Sequence, residues 1–303
     1  MFALYMTSFS IFFIGSFGIF GNVNLVVAIL RTLPDIRRSR CGLIIGVVAL
    51  CDVLCLLFEF QNATRLLLGV QNYRLSCFWA MSLYIYFLNF HCVLLLVLAF
   101  DRIFAISTPV TYRTLPFNVY IVLTMIPGFL FASAIFWMSL ANMNDEPIDA
   151  CNPPMAYPPL VLEIWTRWVL ALDVLIIVVY ILALIVLYWR RGDLTRTESE
   201  YFNQQRKAMR TLTVVVILFT STWLVCHCSV LLATMIGFSE SAVHLIQTLA
   251  VIPALICYSQ NYYIYLWRST EYRKLFLEQF NTLIHLDLRY CKTSKVHVVS
   301  LSQ

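Results

Sequence analysis

Three acidic residues lie within long apolar stretches of this 303-residue chain, and one of them is followed directly by an arginine. Asp52 and Glu59 are seven residues, or two helical turns, apart, and Asp101 precedes Arg102. An ionisable side chain inside an apolar helix costs at least a few kcal/mol and therefore marks a functional candidate. Such side chains can pair with one another, hold an ion, or exchange partners when a helix bundle rearranges.

A second group of ionisable residues falls in one later stretch. Glu163 and Arg167 are four residues apart, which places them on one helix face, and Asp173 follows deeper in the stretch. The alternative for all three is internal pairing that only fixes helix packing. The sequence contains no His-Glu-x-x-His, Asp-rich diphosphate motif or nucleophile elbow, so we predict neither an enzyme nor a bound cofactor or metal.

The elements that position these residues follow from the composition. Hydrophobic residues make up 61% of the chain and charged residues 12%, with a mean hydropathy of +0.80. A soluble globular chain is nearer half apolar and a quarter charged. One soluble core cannot hide that much apolar surface, so the composition disfavours a soluble enzyme, nucleic-acid binder or disordered scaffold. It indicates an integral membrane protein.

Seven stretches are long and apolar enough to cross a bilayer as helices. They cover approximately residues 7–30, 42–64, 75–107, 118–140, 160–189, 208–236 and 243–267. Their continuous apolar character favours helices over barrel strands, which would alternate in segments of about ten residues. We therefore predict an all-α integral membrane fold with seven spans in one domain.

Lysine and arginine are distributed unequally between the two sides of these spans. Of the 21 basic residues, 18 lie on one side, and only Arg65, Arg74 and Arg167 lie on the other. Basic residues favour the cytoplasmic side, which predicts an extracellular N-terminus and a cytoplasmic C-terminus in a multi-pass plasma-membrane protein. The net charge of +5 is then mainly a topology signal.

The placement of cysteines predicts one covalent link. On this topology, only Cys77 and Cys151 of the ten cysteines face the oxidising side. A bridge between them would hold the long outer loop against the third span. The alternative is two free thiols.

Several short motifs occur in the order found in one receptor family. They are Gly21-Asn22, the acid Asp52, Cys77 placed 25 residues before Arg102, Asp101-Arg102-Ile103, Phe219 with Trp223, Asn261-Tyr262-Tyr263-Ile264-Tyr265, and Tyr272-Arg273. On these motifs the chain resembles rhodopsin-like (class A) G-protein-coupled receptors. The resemblance implies a seven-transmembrane helix bundle within residues 1–282, with a short amphipathic eighth helix at about 269–281 and a cytoplasmic tail over 283–303.

Three longer segments narrow the resemblance. Residues 57–62, 86–90 and 267–273 resemble nematode serpentine chemoreceptors of the SX class. Such a receptor detects a ligand at its outer face and activates a heterotrimeric G protein at its cytoplasmic face. A neuropeptide-type receptor is the alternative within the family, and a secondary transporter is the alternative from another class.

The resemblance also assigns an activation switch. Its residues are Asp101, Arg102, Tyr180, Phe219, Trp223, Asn261 and Tyr265. Arg102 is expected to pair with Asp101 at rest and to turn toward the two tyrosines on activation. Gln205 stands where an acid could have held Arg102, so we expect a weak resting lock and measurable basal activity.

A mid-membrane polar site is implied by the same resemblance. Its residues are Asn22, Asp52, His91 and Asn261. The family commonly holds sodium beside the span-2 aspartate, but His91 replaces a small hydroxyl or amide residue here. An imidazolium would substitute for the cation, which predicts weak or absent sodium dependence and a pH-sensitive pair. The alternative is a neutral His91 bonded to a helix.

The candidate ligand pocket is aromatic and thinly polar. Its residues are Glu59, Tyr84, Leu88, Asn89, Glu163, Trp168, Cys226, His227 and Val251, with Ile164 and Val230 beside them. Tyr84 stands where amine receptors place an aspartate, so we expect a small, mostly apolar ligand, although Glu59 or Glu163 could serve a cation. The outer acids Asp145, Glu146, Asp149 and Glu240 make a basic peptide the second choice.

Two modification motifs remain. Asn62-Ala63-Thr64 is a glycosylation sequon, but it lies too near the membrane end of its span for easy modification. Cys291 lies in a basic tail and is a candidate for palmitoylation.

Overall fold

The computed structural model describes residues 2–31, 40–148, 151–190 and 196–282, which are mostly helical. In chain order the elements are α1 (Phe2–Arg31), α2 (Arg40–Leu67), β1 (Asn72–Tyr73), α3 (Arg74–Ala80), α4 (Ser82–Ser107), α5 (Pro109–Thr114), α6 (Phe117–Ala141), β2 (Pro147–Ile148), α7 (Pro153–Ala156), α8 (Pro159–Trp189), α9 (Arg196–Ile236), α10 (Glu240–Leu249) and α11 (Val251–Arg268). Residues 270–282 form a further helix.

Six helices within the described residues are long and apolar enough to cross a membrane. They are α1, α2, α4, α6, α8 and α9. Six of the seven predicted spans are thereby confirmed as apolar helices. The seventh, predicted as one stretch over 243–267, is instead divided between α10 and α11 at Ala250. Pro253 has no N–H to donate to the carbonyl of Leu249 and its ring crowds that carbonyl, which accounts for the interruption.

Two other spans differ in their bounds from the prediction. The stretch 75–107 is divided at Met81 into α3 and α4. The stretch predicted to begin at 208 begins at Arg196, so α9 extends into residues that were expected to form a polar loop. Phe202 is buried on this extension, and its contact with the bundle helps to explain why the polar segment is helical.

The bundle is built around α4. Buried residues make up 67% of the apolar window of α4, against 33–50% in the other five long helices. α4 packs against α2, α6 and α8, while α1 and α9 both contact α11. Gly128 lets α6 approach α4 closely, because a Cβ there would lie 2.6 Å from the Phe90 ring. The outward faces carry large apolar side chains such as Phe13, Leu130 and Trp137, as a lipid-facing surface requires.

One end of the bundle is closed by a covalent link. The predicted disulfide between Cys77 and Cys151 is confirmed, with a Cα–Cα distance of 5.4 Å. Beside it, β1 and β2 pair antiparallel, with Asn72 opposite Ile148. We call this end the disulfide end, and the opposite end, which holds Asp101 and Arg102, the Arg102 end.

Candidate functional site

Arg102 is buried near the end of α4 and donates to three side chains, namely Asp101, Gln205 and, from Nη2 at 3.4 Å, the Tyr112 hydroxyl. Its Nε donates to Asp101 Oδ2 at 2.9 Å, and its Nη1 donates to Gln205 Oε1 on α9 at 2.9 Å. Both side chains of the Asp101–Arg102 pair are at most 5% exposed. Arg102 thus pairs with Asp101 and meets a neutral amide rather than a carboxylate across the helices, and the assignment of these contacts to a resting state stays a prediction.

The Asp101 carboxylate also accepts two tyrosine hydroxyls. Tyr112 and Tyr120 donate to Oδ1 at 3.0 and 2.8 Å. Tyr112 lies on α5, outside the spans, where burial and then the Asp101 charge raise its pKa, so its hydroxyl stays protonated and donates. Asp101 is thus held by three side chains. Sequence reasoning missed Tyr120, which only tertiary packing brings to α4.

Arg40, at the start of α2, forms a second junction at this end. Its guanidinium donates to the backbone carbonyls of Tyr112, Arg113 and Leu115. Its Cζ also lies over the rings of Tyr112 and Tyr120, at 5.2 and 5.3 Å from their centroids. In the sequence, Arg40 is one of the 18 basic residues that indicate the orientation. No local signal in the sequence points to these partners.

A cavity of 920 Å³ opens at the Arg102 end. Its lining includes six basic side chains and one acid, namely Arg40, Arg102, Arg113, Lys207, Arg210, Arg268 and Glu271. Tyr201 and Tyr265 also line it, and Arg113 stacks on the Tyr201 ring at 4.1 Å. The cavity is therefore basic and places Arg102 where a bound segment could reach it.

The two tyrosines assigned to the activated state have other contacts in this conformation. Tyr180 donates its hydroxyl to the carbonyl of Met209 at 2.9 Å. Tyr265 packs against Tyr272 with ring centroids 4.8 Å apart. The movement of Arg102 toward them stays a prediction.

The mid-membrane polar site brings three of its four predicted residues together. Asn261 donates to Asp52 Oδ2 at 2.6 Å, and His91 Nε2 lies 3.3 Å from Asp52 Oδ1. Asn22 instead donates to the backbone carbonyl of Tyr258 at 2.7 Å. Asn22 therefore links α1 to α11, because its side chain meets the backbone of that helix.

A column of aromatic rings rises from this site toward the disulfide end. His91 lies 5.8 Å from Phe219, Phe219 lies 5.9 Å from Trp223, and Trp223 stacks on His227 at 5.1 Å. His227 then meets Trp165 at 5.3 Å. These centroid distances describe continuous contact from Asp52 to the candidate pocket.

The tryptophan that α8 turns inward is not the one predicted. Trp168 is 56% exposed on the outer surface, whereas Trp165 is 2% exposed. Trp165 donates to Asn89 Oδ1 at 2.9 Å, and Asn89 donates to the Tyr157 hydroxyl at 2.9 Å. The prediction that Trp168 lines the pocket is therefore wrong. The helical phase could have found Trp165, since it shares a buried stripe with Asp173.

Glu163 also lies outside the candidate pocket. It pairs with Arg167 at 2.5 Å, as its spacing predicted, but the two side chains are 60% and 76% exposed. An exposed pair of this kind contributes about 0.3–0.5 kcal/mol to a helix. The structure places Glu163 on the surface of α8, where it cannot line the pocket.

Glu59 is the buried acid of the disulfide end. The Tyr84 hydroxyl donates to its Oε1 at 2.5 Å and Asn62 Nδ2 donates to its Oε2 at 3.1 Å. The Tyr84 ring stacks on Phe58 at 6.2 Å and meets the edge of Tyr258 at 6.5 Å. Asn62 is 3% exposed and its amide is engaged, which argues against use of the sequon.

The remaining pocket candidates vary in their surroundings. Leu88 is buried, Cys226 Sγ donates to the Ala250 carbonyl at 3.3 Å, and Val251 and Ile164 are half-buried. The side chains of Val230 and Glu240, and residues Asp149 and Cys291, lie outside what the structure describes.

Comparison with known protein families gives a match over most of the chain. The family model described as serpentine type 7TM GPCR chemoreceptor Srsx matches residues 15–280, which is most of the chain. It confirms the resemblance to chemoreceptors of the SX class. No curated protein matches the chain.

Proposed function

We propose that this chain, which belongs to the Srsx family of serpentine seven-transmembrane G-protein-coupled chemoreceptors, detects a small, mostly apolar ligand and activates a heterotrimeric G protein. The family is one of receptors rather than enzymes, and the apolar helices make the chain a multi-pass membrane protein. The chemical class of the ligand and the activation of a G protein are the proposed parts of this function.

We propose that the disulfide end faces outward and the Arg102 end faces the cytoplasm. The distribution of 18 basic residues on one side and three on the other supports this orientation. A disulfide also needs an oxidising compartment, which agrees with an extracellular Cys77–Cys151 bridge.

The observation that carries the coupling proposal is the position of Arg102 at the basic cavity. One adjacent carboxylate and one neutral amide hold its guanidinium at the edge of 920 Å³ of open space. A G protein that binds better to a form with a freed Arg102 would shift the bundle toward that form. The excess of cations in the lining suits a segment that carries carboxylates.

The column from Trp165 to His91 provides a route from the disulfide end to the mid-membrane polar site. A ligand that moves Trp165 or His227 would change the packing on Trp223 and then on Phe219. Close-packed side chains shift between discrete arrangements rather than deform smoothly, so this change can reach the Asp52 site.

The test is G-protein activation without agonist in a heterologous cell. Wild type should give output above that of cells lacking the receptor, and Arg102→Ala should remove it. Arg167→Ala is the matched control, because Arg167 is 76% exposed on α8 and does not line the cavity. Equal output from wild type and Arg102→Ala at equal surface expression would contradict the coupling role, and silence of a well-expressed wild type would contradict the basal activity.

A further inference from the structure

We propose that the buried Glu59 carboxylate binds an ammonium group of the ligand, so that the ligand is a small, mostly apolar primary or secondary amine in its protonated form. The inference rests on the proposed receptor function and names the ligand class of that receptor. Glu59 lies on α2, eight residues before the helix ends at the disulfide end, or about 12 Å along its axis. An outer ligand would therefore have to reach only the upper part of the bundle.

The first support is the charge of Glu59. Its side chain is 1% exposed, and both carboxylate oxygens accept hydrogen bonds, from Tyr84 and from Asn62. Two hydrogen-bond donors directed at a carboxyl group favour its charged form, against the effect of burial. Two neutral donors orient this charge but do not cancel it, and a buried charge without a counter-charge is costly.

The second support is the contrast with other acids of the chain. Asp101, Glu146 and Glu163 each have an arginine within 4.0 Å. Within the described ranges, Glu59 forms no such pair. Asp173 also forms none there, and it is therefore useful as a control. The bundle thus leaves the Glu59 charge for a cation from outside the chain.

The third support is an unfilled acceptor beside the carboxylate. Asn62 uses its Nδ2 on Glu59, while its Oδ1 is buried and has no hydrogen-bond partner among the described residues. A primary or secondary ammonium has at least two N–H groups. One can reach Glu59 and another can reach Asn62 Oδ1. A carboxylate offers about four acceptor positions, so the ammonium can join without displacing Tyr84.

The fourth support is the aromatic surround. The ring of Tyr84 stacks on Phe58 at an interplanar angle of 15° and meets the ring of Tyr258 at 72°. Ring faces attract cations, and their apolar surface suits the carbon chain of an alkylamine. The site accordingly favours a cation with an apolar body over a free metal ion, which would need more oxygen ligands.

The test measures binding directly, so that it does not depend on coupling. The full chain, purified in detergent, is heated in the presence of butylammonium chloride, 1-butanol or tetramethylammonium chloride. Butylammonium should raise the Tm in a saturable manner, because it binds the folded state alone. The alcohol, which has similar shape but no charge, should not raise it. Tetramethylammonium should act more weakly, because it has no N–H for Asn62.

Variants then locate the site. Glu59→Gln should weaken butylammonium binding at least about tenfold, since it removes a charge-assisted bond while keeping the volume. Tyr84→Phe, which keeps the ring, should weaken it severalfold. Asp173→Asn and Glu163→Gln are matched controls that remove an acid elsewhere and should bind as wild type does.

Three outcomes would overturn the proposal. They are stabilisation by 1-butanol equal to that by butylammonium, undiminished binding in Glu59→Gln, and no stabilisation by any alkylammonium from propyl to hexyl at millimolar concentration. Equal action of tetramethylammonium would overturn the role of Asn62. If Glu59→Gln fails to fold, two measurements still test the proposal. They are the comparison of butylammonium with 1-butanol on wild type and the binding of butylammonium to Tyr84→Phe. If the chain binds butylammonium but gives no G-protein output, the coupling proposal is contradicted and the proposed Glu59 site is not.

Discussion

Two of the acceptors of Arg102, Asp101 and Gln205, differ in what they hold together. Asp101 is its neighbour on α4, so their ion pair does not join two helices. Gln205 lies on α9, and its bond to Arg102 Nη1 at 2.9 Å crosses the Arg102 end of the bundle. A guanidinium bound to a neutral amide lacks the Coulomb attraction that a carboxylate would add. The cross-helix contact is therefore the weaker part of the lock.

Gln205→Glu should strengthen this contact and lower basal G-protein output. An added stabilisation of about 1–2 kcal/mol for the resting state corresponds to a roughly five- to thirtyfold smaller active population. The measurement is the agonist-independent assay at matched surface expression. Gln204→Glu is the control, since Gln204 lines the same cavity without this bond to Arg102. A similar fall in both variants would point to a general effect of negative charge and contradict the specific lock.

At the scale of elements, α5 depends on a helix that is distant in sequence. It has only six residues, and such a short helix is not stable by itself. The last carbonyls of a helix lack partners within it, and Arg40 supplies donors to three carbonyls at this end. A cation at a helix C-terminus is also favourable for the helix dipole. α5 is thus held in place by the first residue of α2.

Arg40→Gln should release this short helix. We expect the exchange of backbone amide hydrogens in residues 109–115 to accelerate at least about tenfold, because the loss of bonds to a charged donor lowers local stability. Hydrogen exchange followed by mass spectrometry measures this directly. Arg113→Gln serves for comparison, since that side chain rests on Tyr201. Unchanged protection in Arg40→Gln would show that Tyr112 and its bond to Asp101 suffice to hold α5.

At the scale of the whole molecule, the disulfide joins parts that are far apart along the chain. Cys77 and Cys151 are separated by 74 residues, which include all of α4 and α6. The bridge holds the segment before α8 against α3, and Tyr157 of that segment bonds to Asn89 in the bundle. The geometry of the candidate pocket therefore depends on this covalent link.

Removal of the bridge in the double variant Cys77→Ser, Cys151→Ser should lower stability by about 2–5 kcal/mol. The measurement is the Tm of the purified chain with and without a reductant. Reductant should lower the Tm of wild type and leave the double variant unchanged. Cys228→Ser, which removes a free thiol, should behave as wild type does. A reductant-insensitive wild type would contradict the stabilising role of the bridge.

Much of this architecture follows from local properties of the sequence. A helix in lipid needs a minimum apolar length and must satisfy its own backbone, so hydropathy along the chain determined six spans. Likewise, Asp101 and Arg102 are adjacent in the chain, and their pairing needed no tertiary information. The division of the seventh stretch at Ala250 also has a local cause, because Pro253 removes a backbone donor.

Apart from a polar residue such as Asp173, which marks the buried stripe of α8, the face of each helix that points inward was decided by the tertiary structure. In a membrane the outward face is as apolar as the core, so the hydrophobic pattern that orients helices in water is weak. For this reason Trp168 was predicted inside while Trp165 is the buried residue, and Glu163 was placed in a pocket that it does not reach. The partners of Arg40 and the approach of Tyr120 to Asp101 were beyond sequence reasoning for the same reason, since they require knowing how helices distant in the chain rotate against one another.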